Sequence, residues 1–123
     1  MNIVDANIIL RYLLNDEEEL ATRATDIVEN YSVYIPNEVL VEVVYVLEKI
    51  YKVERAAIYD AIMELLSYDN IEVADKNLIA AALELYKTRT FDIVDTILYA
   101  YHKIADHTIY TFDKKLEKCI AQS

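Results

Sequence analysis

At 123 residues the chain has the length of one domain, and a hydrophobic content of 55% excludes a disordered tail. No apolar run approaches the roughly 20 residues of a membrane span, so a soluble, cytoplasmic protein is expected. The net charge of −10 lacks the basic footprint of most nucleic-acid binders.

Glycine is absent altogether, where average usage of about 7% predicts several. A Gly-rich phosphate loop is therefore impossible, which excludes P-loop NTPases and dinucleotide-binding Rossmann enzymes. Helix ends must also be closed without glycine caps. Cys119 is the single cysteine. It can form neither an internal disulfide nor a cysteine-based metal cluster, and reads as a reduced residue on a terminal helix.

In chain order, Asn2, Ile3 and Val4 form a short β-type run that stops at Asp5. Residues 8–14 read as a helix carrying Arg11, with Asn15 as the cap of a second helix reaching about Asn30. A strand over 32–35 is closed by the only proline, Pro36. Helices follow over 37–51 and 53–67, then a third strand over 70–74 and an Ala/Leu-rich helix over 76–87. Thr90 is placed to cap a helix over 91–105. The run TIYT at 108–111 reads as a fourth strand, and Asp113 opens a last, basic helix.

Short strands separated by helices predict one α/β domain over 1–123, with a short central parallel sheet of about four strands and helices on both faces. In such sheets ligands bind beyond the C-terminal ends of the strands. Asp5 and Asp113 both stand at the end of a β-run, although either acid also serves as a helix N-cap.

Two further acids lie within helices. Glu42 falls on the stripe Val39, Val43, Val46, Leu47 and Ile50, where an unpaired carboxylate costs several kcal/mol (about 2 or more). Asp95 stands among Ile93, Val94, Ile97 and Leu98, with Asp92 three residues earlier on the same side. A buried salt bridge with an Arg or Lys, or a position at the stripe's edge, is the structural alternative for Glu42, and a favourable helix-dipole position is the alternative for Asp92. Two carboxylates about 4 Å apart repel by up to about 4 kcal/mol at an effective dielectric of 20, so a cluster of them calls for protons or cations. Oxygen-only donors suit Mg2+ or Mn2+ rather than zinc. His102 and His107 have no partner at ligand spacing and read as surface or packing residues.

The segments VDANIILRYLL (4–14), IPNEVLVEVVYVL (35–47), FDIVDTILYA (91–100) and TFDKKL (111–116), in this order, resemble the PIN-domain ribonucleases, and among them the VapC-type toxins of toxin–antitoxin pairs. The resemblance implies that Asp5, Glu42, Asp95 and Asp113 are catalytic, metal-holding acids, with Asp92 auxiliary and Asn7 and Thr111 as flanking polar residues. Arg11 lies in a matching motif without an assigned role. The implied activity is Mg2+- or Mn2+-dependent hydrolysis of RNA, leaving a 5′-phosphate and a 3′-hydroxyl. The implied partners are RNA, a small antitoxin and a second copy of the chain.

The sequence departs from the family pattern in lacking the glycines usual before the last strand, where Ala105, Asp106 and His107 stand, and in its acidity. RNA contact is left to Lys49, Lys52, Arg55, Lys87, Arg89, Lys114 and Lys115. Two rival classes are a partner-binding PIN-like domain with weak or no catalysis and a Rossmannoid phosphoryl-transfer domain. The latter, in its haloacid-dehalogenase form, wants a second Asp where Asn7 stands.

Overall fold

The computed structural model describes residues 1–123. The chain is α/β, and its elements run β1 (Asn2–Ile3), α1 (Ala6–Leu14), α2 (Glu18–Asn30), β2 (Val33–Tyr34), α3 (Asn37–Lys49), α4 (Arg55–Leu66), β3 (Ile71–Glu72), α5 (Lys76–Thr88), α6 (Ile93–Ala105) and α7 (Lys114–Ala121). Two compact units divide it, Met1–Ala74 and Asp75–Ser123.

The first unit is built on a parallel three-stranded sheet in the order β1-β2-β3. The opening strand lies at its edge, and β2 is the middle strand. Val33 pairs with Asn2 on one side and Ile71 on the other. Val33, Ile35 and Ile71 are fully buried, whereas Glu72 of β3 and both residues of β1 are exposed. The Asn70 side chain donates to the carbonyls of Val28 and Tyr31 at 2.6 and 2.8 Å, closing the end of α2 against the turn into β3. Helix α1 packs on α2 and α3, and α4 packs on α3 and β3. Arg11 ties this unit together: its guanidinium donates to Asp16 at 2.8 Å, Glu17 at 3.3 Å and the Tyr51 hydroxyl at 3.1 Å.

The second unit is helical. Leu78, Ile79, Ala82, Leu83 and Tyr86 form the buried stripe of α5, which packs along α6. Helix α6 buries Ile93, Thr96 and Ala100, small enough at two of three positions for close approach. A satellite core joins Phe91, Leu116 and Cys119 to Leu85, Leu98, Tyr99 and Ile120. Cys119 is a free, buried thiol, consistent with a packing role.

The expected strand over 108–111 is not formed, and the sheet has three strands. Tyr110 is 92% exposed and Phe112 fully so, so the apolar side chains of this segment gain nothing from alternation. A turn precedes it instead: the His107 amide donates to the Tyr101 carbonyl at 3.1 Å, and the rings of Tyr101 and His107 meet edge-on at 5.8 Å. His102 Nδ1 and the His107 carbonyl are 3.1 Å apart, so both histidines serve this turn.

Glycine-free helix ends are solved by asparagine, aspartate and lysine. Asn15 (φ 52°), Lys52 (φ 56°) and Asp106 (φ 60°) adopt the left-handed conformation. Asn15 thus terminates α1 rather than starting α2, and its amide donates to the Arg11 carbonyl. Short polar side chains tolerate this region better than others do. Asn15→Gly should therefore leave the urea midpoint nearly unchanged, whereas Asn15→Val should lower stability by about 1–2 kcal/mol. No helix is long and apolar enough to cross a membrane.

Candidate active site

In the first unit Asp5 is exposed and caps α1, its carboxylate accepting from the Ile8 amide at 3.1 Å. Capping occupies one acceptor direction of a carboxylate that has about four, so a second oxygen is left for other partners. Asp5 also lines a mostly apolar cleft of ≈ 730 Å³, with Ile3, Val4, Ile8 and Val39 among its walls. Asn7 follows on the first turn of α1 and is exposed.

Glu42 is not on a core-facing stripe. The buried face of α3 is Leu40, Val43, Val44 and Leu47, while Glu42 is exposed and Ile50, at the end of the expected stripe, is 65% exposed. Apolar residues occupy nearly every side of this helix, so periodicity alone does not show which side is buried. Exposure removes the desolvation cost that a buried carboxylate would carry. The carboxylate of Glu42 is instead available to solvent and solute, in the same unit as Asp5.

The second unit holds Asp92, Asp95 and Asp113. Helix α6 begins at Ile93 with Asp92 as its N-cap, so Thr90 is not the cap and Asp95 lies in the first turn rather than deep in the helix. Asp92 accepts from the Asp95 amide at 2.9 Å. Asp113 caps α7 in the same way, accepting from the Leu116 amide at 3.0 Å. Thr111 fixes the approach to that cap, its hydroxyl accepting from the Asp113 amide at 3.0 Å. Asp113 thus follows an irregular segment, not a strand.

Asp95 carries the electrostatic signature of the site. Its first-turn position should favour the ionised form through the helix dipole. Its pKa is nevertheless raised, first by burial and then by the negative charges of Asp92 and Asp113, with Lys115 offsetting part of the effect. Burial and like-charge repulsion therefore outweigh the dipole. These three acids share one field, and the field is short of positive charge.

Lys115 provides the nearest compensation. Its ammonium donates to the Thr90 hydroxyl and lies 4.5 Å from the centre of the Phe91 ring. The Arg89 guanidinium carbon lies 5.5 Å from the same ring. A lysine in the first turn of a helix opposes the dipole, but Lys114 shares that place on α7 and Arg55 opens α4, so the sequence alone does not single out Lys115 among the basic residues.

Every donor among Asp5, Glu42, Asp92, Asp95 and Asp113 is a carboxylate oxygen, the chemistry that fits a hard divalent cation. Within each unit, no group of three or more acids, histidines or cysteines stands close enough to hold a metal as it is. Arg11 is held by Asp16, Glu17 and Tyr51.

Comparison with known proteins follows this chemistry. The chain matches the PIN domain family over residues 3–119. It is similar to the VapC ribonuclease of Aquifex aeolicus (strain VF5), with 31% identity over 101 residues that cover 79% of this chain and 75% of that protein. No solved structure matches it. With the family match running almost end to end, the chain belongs to the PIN-domain family, among its VapC-type members.

Proposed function

We propose that the protein is a Mg2+- or Mn2+-dependent endoribonuclease acting as the toxin of a toxin–antitoxin pair. The observation that carries this reading is Asp95, a partly buried carboxylate in the field of Asp92 and Asp113 that Lys115 offsets only in part. The similarity to a protein named VapC ribonuclease supports RNA as the substrate.

Asp5, Glu42, Asp95 and Asp113 are assigned as the residues that hold the cation, with Asp92 auxiliary. Once bound, a divalent cation supplies Lewis-acid stabilisation of the charge developing on the phosphodiester and acidifies water at the site. The chain's own contribution is positional. The caps on α1, α6 and α7 fix the backbone at Asp5, Asp92 and Asp113, so these carboxylates keep their direction without a ligand. Thr111 and Asn7 flank the capped aspartates and are assigned as neutral polar contacts. In-line attack by water on the scissile phosphorus leaves a 5′-phosphate and a 3′-hydroxyl.

The partners follow from the same reading. A small antitoxin carrying basic residues would neutralise the acids, and a second copy of the chain would pool its scattered basic groups. Action on cellular RNA places the protein in the cytoplasm.

Asp5→Asn tests the assignment cleanly, because asparagine is an equally good N-cap and the fold is spared. Incubation with total RNA and Mn2+, followed by mapping of cleaved ends, should show 5′-phosphate ends with wild type. The variant should lose about 100-fold or more of the activity. Retention of most activity would sink the role of Asp5.

Asp95 makes a separate prediction. Because its folded-state pKa is raised, the folded state binds the proton more tightly than the unfolded chain does. Stability is therefore fully present below about pH 3.8, the ordinary aspartate value, and is lost as pH rises through the folded pKa. Without metal, Asp95→Asn should raise the thermal midpoint at pH 7, and the gain should vanish at strongly acid pH. Millimolar Mg2+ or Mn2+ should raise the midpoint of wild type and leave that of the variant nearly unmoved. A wild type indifferent to either metal would favour a non-catalytic, partner-binding domain.

A further inference from the structure

An enzyme with net charge −10 and a carboxylate cluster at its site repels RNA until something local holds the phosphate. Lys115 is built for that task. It is exposed, yet its ammonium is fixed between the Thr90 hydroxyl and the face of Phe91, itself only 3% exposed. A free surface lysine gives up several rotatable bonds when it takes a ligand, and a held one has already lost that freedom. An ammonium has three donors, and Thr90 takes one. Arg89 beside the same ring adds a second cation to this patch, and Lys114 opens the same helix turn.

We propose that Lys115 anchors a non-bridging phosphate oxygen of the RNA backbone beside the carboxylates, and that Thr90 is the residue that positions it. The proposal rests on the ribonuclease reading and adds to it the group that admits an anionic substrate to an acidic site. A phosphate contact of this kind sets register on the backbone and is indifferent to base identity.

The test uses a mixed-sequence single-stranded oligoribonucleotide, with kcat, KM and binding measured across a KCl series for wild type, Lys115→Gln, Lys115→Arg and Thr90→Val. Lys115→Gln should raise KM about tenfold with kcat within about twofold of wild type. The slope of log affinity against log salt should shrink by about 0.7, the value for one phosphate contact on a single strand. Lys115→Arg should restore the slope, and Thr90→Val should raise KM while keeping it. An active Lys115→Gln with an unchanged salt slope overturns the proposal. A fall in kcat with the slope intact also overturns it, and makes Lys115 a counter-ion of Asp95 only. A wild type that cleaves no RNA overturns the ribonuclease reading instead, and the binding slope then judges the phosphate contact separately.

Discussion

One interaction recurs through this chain: an aspartate side chain accepting from the backbone amide three residues ahead, at the point where a helix begins. It starts α1, α5, α6 and α7 through Asp5, Asp75, Asp92 and Asp113. Each such cap contributes about 1 kcal/mol and fixes a carboxylate at a helix N-terminus. Three of the five candidate ligands stand where they do because a helix starts there. Capping alone marks nothing, since Asp75 caps α5 with the same geometry and no candidate acid stands beside it on that helix. Asp95 is the acid that distinguishes the site, because its surroundings work against the charge it carries.

The order of helices and strands was legible because the periods are clear and the breaks are marked by Pro36, Asn70 and the aspartate caps. The lack of glycine foretold unusual helix ends, and Asn15, Lys52 and Asp106 supply them. The expected fourth strand was not legible. TIYT has the right residue types, but a strand exists only through a ladder, and side-chain propensity says nothing about whether a partner edge is paired. Glu42 misled for a different reason. A helix apolar on several sides offers more than one candidate stripe, and the core chose Leu40, Val43, Val44 and Leu47. Thr90 and Asp92 both make good caps two residues apart, and the choice of Asp92 moved Asp95 into the first turn. The sequence therefore supplied the candidate acids, while their burial and charge environment required coordinates.

Net charge and local field have to be kept apart in this protein. A formal charge of −10 is felt over roughly a Debye length of about 8 Å at physiological salt, and beyond that it is screened. What a phosphate meets at contact distance is set by a few side chains. Around Phe91 those are Lys115 and Arg89, held on an aromatic platform whose face attracts cations. Next to them stands Asp95, whose charged form is disfavoured by burial and by the charges of Asp92 and Asp113. The divalent cation proposed for these carboxylates would reconcile the two, since it would relieve the acids and draw the phosphate.

The central claim is that carboxylate oxygens alone hold a divalent cation in this protein. Electron paramagnetic resonance of Mn2+ titrated into the purified chain reads this directly, because bound and free ion are counted separately and nitrogen ligands leave hyperfine couplings. The account predicts saturable Mn2+ binding with oxygen-only coordination. Absence of bound Mn2+ at millimolar metal, or nitrogen couplings that trace to His102 or His107, would contradict it.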